Sequence, residues 1–317
     1  MTRPRRPLIV RLRNWVGDVV LAVPMLQRLA DAGFDLQLLG KGWARDLLAG
    51  QGWPIQVLPG TSRERVAVLR QLKHEARASG TQPVQALCLP DSFSSALEFR
   101  LAGLPALGHA WEGRRLLLAQ AVSRPPGVHE LDVYWQLGNA LLGQAAPLPT
   151  TIGLRLAPQH LAQAHALREA HGLPAASVFI CPFAGGTWNQ ADKTWPAFAD
   201  FVAQELIGMG RTVVVCPGPG DEEAIARQAF PQARLLAGVG LGTYAALLRD
   251  AALLLSNDTG PGHLAAAVGA PVISVMGPSD PRLWHPWGPD VQVLGGHGAW
   301  PLRPHVRQAV EQRLARR

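Results

Sequence analysis

Four stretches of the chain hold residue types suited to binding an anion or to moving a proton, and each follows an apolar run. In "LLLSNDTGPGHLAAAVGAPV" the run ends at Asn257, Asp258, Thr259 and Gly260, and an alanine-rich segment opens at His263. A helix starting there presents unpaired backbone N–H groups and the positive end of its dipole, and glycines let a phosphate approach the backbone. Thr259 adds a hydroxyl donor. Asp258 would repel phosphate, so Asp258 or Thr259 reads equally well as the helix cap, and His263 as a packed core histidine. "GGTWNQADKTWP" offers Thr187 and Lys193; an ammonium there either offsets pyrophosphate charge or is a solvated surface group. "PGPGDEEA" sets Asp221 and Glu222 after two glycines, where a carboxylate can accept from ribose hydroxyls. Pro219 and Glu223 make it a poor dinucleotide fingerprint. "WVGD" sets Asp18 at the first strand-to-helix turn. Asp18 reads as a helix cap or, facing a nucleotide held by the other half of the chain, as a general base.

The elements that must position these residues alternate. Strand, helix and strand are predicted at residues 7–12, 19–33 and 35–40, then strands at 55–59 and 85–90 and a helix at 94–103. This is the rhythm of a parallel sheet with crossover helices. "APLPTTIGLRLAPQH", residues 146–160, is proline-rich and aperiodic, as at a domain boundary. The rhythm then restarts with strands at 177–183, 211–218, 252–258 and 271–277 and helices at 197–210, 244–251 and 263–270. Two α/β domains are expected, residues 1–155 and 156–317. In such sheets ligands collect beyond the carboxyl ends of the strands, where all four stretches fall. The tail, about residues 303–316, carries Val306, Ala309, Val310 and Leu314 at helical spacing.

Composition fits a folded protein: 317 residues, 48% hydrophobic and 17% charged, are long for one core and comfortable for two. The 30 Lys and Arg exceed the 23 Asp and Glu by 7, a balance that suits nucleic acid, a membrane surface or an acidic substrate. Arginines bunch at Arg3, Arg5, Arg6, Arg11 and Arg13 and at Arg303, Arg307, Arg313, Arg316 and Arg317. Without aromatic interleaving or a helix-turn-helix setting they argue against nucleic acid. Cys88, Cys181 and Cys216 each end an apolar run and read as buried free thiols of a reducing compartment. The N-terminal stretch lacks a signal-peptide core, and no run approaches a membrane span. A cytoplasmic protein is expected, with the inner membrane face as a peripheral location. H-E-x-x-H, CxxC, G-x-S-x-G and Walker motifs are all missing, as is an Asp-x-Asp pair. Metal-independent chemistry without a cofactor is therefore expected.

The chain resembles the family 9 glycosyltransferases, the ADP-heptose:lipopolysaccharide heptosyltransferases. The resemblance runs through "LLLSNDTGPGHLAAAVGAPVISVMGPSDP", "DKTWP", "WVGDVVLAVPML" and, toward the heptosyltransferase II branch, "LPDSFSSALEFRLAGLP" with "GHAWEGRR". It implies the GT-B architecture, two Rossmann-like domains with parallel sheets facing across a cleft, acceptor on the first and nucleotide sugar on the second. The tail helix would pack back on the first domain. It implies inverting, metal-independent transfer of heptose from ADP-heptose to an anionic lipopolysaccharide precursor. Asp18 would be the base, and Thr187, Lys193, Asp221, Asp258, Thr259, Gly260 and His263 would bind the donor, with Glu222 the ribose ligand after a one-residue shift. Ser94, Arg114 and Arg115 are the expected acceptor contacts. Two alternatives stay open: a GT-B transferase of another nucleotide sugar, and a non-catalytic module binding sugar nucleotides or anionic lipid.

Overall fold

The computed structural model describes residues 6–79, 83–188 and 190–316. Arg3, Arg5 and Arg317 lie outside them. The chain separates into two compact units, Met1–Arg45 with Gly52–Pro149, and Asp46–Gln51 with Thr150–Arg317.

The first unit is built on six parallel strands, β1 (Arg6–Arg11), β2 (Phe34–Gly40), β3 (Ile55–Val57), β4 (Gln85–Cys88), β5 (Leu107–His109) and β6 (Gln120–Val122), in the order β3-β2-β1-β4-β5-β6. The second has β7 (Val178–Cys181), a small hairpin β8 (Thr187–Trp188) with β9 (Ala191–Asp192), then β10 (Val213–Val215), β11 (Arg234–Leu235), β12 (Leu253–Asn257), β13 (Val272–Met276) and β14 (Val291–Gly295). Its six-stranded parallel sheet runs β11-β10-β7-β12-β13-β14. Counted within each sheet, both orders read 3-2-1-4-5-6, the doubly wound Rossmann arrangement. Strand order reverses between β1 and β4 in one unit and between β7 and β12 in the other. The loop leaving β1 leads into the helix turn that carries Asp18, and the loops leaving β7 and β12 carry Lys193 and Asp258.

The central strands are buried along nearly their whole length, β12 and β13 completely, as strands covered by helices on both faces must be. In the first unit, helix Glu130–Leu142 packs on helix Val16–Asp31. A Cβ on Gly138 would lie 2.8 Å from Met25 Cγ, so the glycine lets the two helices approach. Arg28 lies over the Trp135 ring, 4.8 Å from its centroid, and donates to Asn139 Oδ1.

The second unit's core gathers Val178, Ile180, Val213, Val215, Leu253, Leu255 and Ile273 with Phe198, Phe201, Val306, Ala309, Val310 and Leu314. Tail helix Arg303–Ala315 therefore buries its apolar stripe in the second unit's own core, which corrects the expectation that it packs on the first domain. Arg303 pairs with Glu205 at 2.7 Å and Arg313 with Asp290 at 3.1 Å. Arg11 is buried against Glu98. Much of the arginine clustering thus serves internal pairing rather than a solvated basic face. The predicted helix over 197–210 changes pitch along its length, from α at Phe198–Phe201 to π at Val202–Leu206 and a tight turn at Ile207–Met209. Gly210 ends it at φ 70°, the left-handed conformation a C-terminal cap favours.

The stretch Asp46–Gln51 belongs to the second unit for local reasons. Asp46 accepts from the Gly242 backbone N–H at 2.8 Å and pairs with buried His160 at 2.9 Å. A Cβ on Gly242 would lie 2.1 Å from the His160 ring. Gly242→Ala is expected to destabilise the protein by about 1–3 kcal/mol through overpacking, read as a lowered melting temperature.

All three cysteines are free and buried, and burial pushes the Cys181 thiol up to about 12. Among the described residues no helix is long and apolar enough to cross a membrane.

Candidate functional site

In the first unit the chain leaves β1 through Leu12, Arg13 and Asn14 and enters helix Val16–Asp31. Trp15, not Asp18, occupies its cap position, and no side chain caps it. Asp18 lies inside the first turn, free of capping duty, with its side chain 10% exposed. Its Oδ1 accepts from Tyr134 OH at 2.6 Å and from Arg13 Nε at 3.2 Å.

Arg13 is held in turn by Asp91, just beyond β4, at 3.1 Å and by Glu130 at 3.6 Å. Arg124 bridges the same two carboxylates, at 3.0 Å to Asp91 and 2.5 Å to Glu130. With Arg114 at 3.5 Å from Asp91, three arginines meet three carboxylates. Burial raises the pKa of Glu130 against the pull of Arg124 and Arg13. Burial opposes the Arg13 charge, but Tyr134 and the surrounding carboxylates outweigh it and raise its pKa. Pairing of this density keeps buried charges tolerable and fixes the side chains around Asp18.

Of the expected acceptor contacts, Ser94 is exposed in the first turn of helix Phe93–Leu101, near the Ser92 cap, and Arg115 is exposed as well. Arg114 is wholly buried. It donates to the carbonyls of His109 at 2.7 Å and of Pro90, so it shapes the loop beyond β4 and has no surface to offer an acceptor. That corrects its expected role.

In the second unit Asn257, the last residue of β12, ties two loops together. It donates to the Pro182 carbonyl beyond β7 and accepts from Trp195 N at 3.1 Å. Trp195 is buried against Phe198 and Phe201, and so pins the segment that carries Lys193. The Lys193 ammonium donates to Asp258 O at 2.8 Å and to Asp258 Oδ2 at 3.3 Å. Ser279, beyond β13, donates to the same Oδ2.

Asp258 is thus a buried carboxylate held by two side chains, not a helix cap. Thr259 takes the cap position of helix Gly260–Ala267 in an extended conformation, without a side-chain capping bond. Its hydroxyl is therefore not consumed by the helix it precedes. Gly260 opens this helix, and His263 is buried in it. Thr187 is exposed on the β8–β9 hairpin, next to Trp188, whose ring meets that of Trp284 edge-on at 5.9 Å.

Beside Lys193 lies an open cavity of about 510 Å³, lined by Phe183, Asp192, Thr194, Trp195, Glu222 and Ile225 among others. Its apolar walls with a few carboxylate and hydroxyl groups match the usual make-up of a small-molecule site. Glu222, which lines it, accepts from Gly218 N at 2.6 Å. Asp221 is exposed and does not line it. Among the described residues no three His, Cys, Asp or Glu group together as metal ligands.

Sequence reasoning missed Arg13, Asp91, Arg124, Glu130, Tyr134, Asn257 and Ser279 as site-forming residues. Arg13 and Asp91 sit just past two strand ends, the same signal that singled out Asp18.

The chain is 27% identical over 307 residues to lipopolysaccharide heptosyltransferase 2 of Escherichia coli (strain K12), covering 89% of this chain and 85% of that protein. In fold it resembles a family 9 glycosyl transferase from Veillonella parvula DSM 2008, with TM-score 0.82, 19% identity and 98% of each chain covered. It also resembles E. coli heptosyltransferase WaaC, solved with ADP, with TM-score 0.75, 20% identity, and 97% of this chain and 99% of that one covered. Two doubly wound units in tandem correspond to the GT-B architecture. The description of glycosyltransferase family 9 (heptosyltransferase) matches residues 70–314, and the chain belongs to that family.

Proposed function

We propose that the protein transfers a heptosyl group from ADP-heptose to the inner core of a lipopolysaccharide precursor, inverting the anomeric centre without a metal and using Asp18 as general base. The observation that carries this reading is Lys193, fixed beside Asp258 at the switch point of the second sheet. It sets a positive charge next to the head of helix Gly260–Ala267, where a diphosphate is favoured.

The second unit would hold the donor. Lys193, Thr259 and the Gly260 backbone face the diphosphate, Glu222 the ribose, and Asp258 the heptose hydroxyls. Thr187 and His263 complete the donor set. The first unit would supply the acceptor end, with Asp18 as base and Ser94 and Arg115 as contacts to an anionic acceptor.

In the transfer step an acceptor hydroxyl oxygen attacks the anomeric carbon. The bond from that carbon to the diphosphate breaks, its electron pair leaves on ADP, and the hydroxyl proton passes to Asp18. Charge grows on the diphosphate as the bond breaks, and prearranged positive groups stabilise it most at that moment. The acceptor is lipid-linked in this reading, so the enzyme works at the cytoplasmic face of the inner membrane and not on nucleic acid.

Two measurements test it. ADP is expected to compete for the donor site at least about tenfold better than UDP, a difference of about 1.4 kcal/mol; equal competition would point to another nucleotide sugar. Dialysis against EDTA is expected to leave the transfer rate within about twofold, because Lys193 and the helix head supply the charge a divalent ion would otherwise bring. Loss of activity restored by added Mg²⁺ would contradict the metal-independent reading.

A further inference from the structure

Asp18 is held on one side only. Tyr134 OH and Arg13 Nε both donate to Oδ1, and among the described residues no donor reaches Oδ2. We propose that Tyr134 is a positioning residue for Asp18: with Arg13 it fixes Oδ1, so that Oδ2 is the atom that receives the acceptor's proton. This rests on the reading of Asp18 as the base.

The geometry favours a fixed clamp over a chance contact. Tyr134 is 1% exposed and stands on helix Glu130–Leu142, which is packed along helix Val16–Asp31, so neither partner can swing away independently. Arg13 has no freedom either, since Asp91 and Glu130 hold its terminal nitrogens. The charged groups around the pair come from every neighbouring segment: Arg13 beyond β1, Asp91 beyond β4, Arg114 beyond β5, Arg124 beyond β6 and Glu130 on the tyrosine's own helix.

Burial, reinforced by the Asp18 charge, raises the phenol of Tyr134 well above its ordinary pKa. It therefore stays protonated, and a donor, across any working pH. A hydrogen bond to a charged carboxylate is stronger than a neutral one, which suits a fixed clamp.

The test is a double-mutant cycle in the full-length protein. Tyr134→Phe keeps the ring and removes one hydroxyl. It is expected to lower kcat by about tenfold and leave KM for ADP-heptose within about twofold, a split that a merely structural loss would not give. In an Asp18→Asn background the same substitution is expected to cost nothing further, since residues acting as one unit are not additive.

A wild-type kcat in Tyr134→Phe, with transfer by Asp18→Asn strongly lowered, would overturn the clamp alone. An undiminished tenfold loss in the Asp18→Asn background would also overturn it, by showing a purely structural role. Full activity in Asp18→Asn would instead remove the base reading, and the clamp with it. ADP binding and the melting transition of each variant report whether the fold is intact.

Discussion

Asp18→Asn is expected to lower kcat for heptosyl transfer by about 10²–10⁴-fold, the usual contribution of a positioned acid or base, while ADP-heptose binds as before. Asparagine matches aspartate in shape and can still accept from Tyr134 and Arg13, so the network around position 18 should survive. What it cannot do is take a proton. The groups proposed to hold the donor lie in the other unit, which is why titration with ADP-heptose should give an affinity within about twofold of wild type, well under the tenfold that 1.4 kcal/mol represents. A variant that binds donor normally and still transfers at the wild-type rate would show that another group accepts the proton. A variant that loses donor binding would show that Asp18 serves the donor.

Lys193→Met is expected to be nearly as damaging. It keeps a long apolar stem and removes the ammonium that sits 2.8 Å from Asp258 O and 3.3 Å from Asp258 Oδ2. Removing one group that stabilises developing charge typically costs about 10²–10³-fold in kcat, and a loss of that size is expected here. The substitution has a second consequence. Asp258 is 7% exposed, and without Lys193 only Ser279 remains among its described side-chain partners. An uncompensated buried carboxylate is costly, so the melting temperature should fall as well. Adding Asp258→Asn removes the stranded charge, and should recover stability without recovering transfer. If stability and activity returned together, the loss in Lys193→Met would have been structural, and the diphosphate role of Lys193 would fall.

The fold was legible in the sequence wherever one pattern decided it. Buried central strands such as Val178–Cys181, Leu253–Asn257 and Val272–Met276 read as short, mainly apolar runs, because helices cover both faces of a parallel sheet. The Rossmann rule then placed Asp18, Lys193 and Asp258 at strand ends before any geometry was known.

Other features depend on long-range contacts that no local pattern expresses. Helix Glu130–Leu142 was missed, although "ELDVYWQLGNALLG" has apolar residues at helical spacing and ends on Gly143 at φ 65°. Its cap is His129, whose Nδ1 accepts from Leu131 N at 3.1 Å, and histidine is not a residue that announces a helix start. Tyr134 and Glu130 were lost with that helix.

The cap reading of Asp18 failed because the helix begins one turn earlier than its apolar periodicity suggests. Arg114 looked like a surface cation because its tertiary partners, the carbonyls of Pro90 and His109, are set by how the chain folds back on itself. The same holds for the tail helix, whose apolar spacing predicted burial correctly but could not say against which unit.

Incubation of the purified protein with ADP-heptose and a lipopolysaccharide precursor lacking the heptose, followed by NMR of the product's new glycosidic linkage, tests the central claim most directly. The account predicts one ADP released per heptose transferred, and an anomeric configuration opposite to that of the donor. Retained configuration, or ADP released without a glycosylated product, would contradict it.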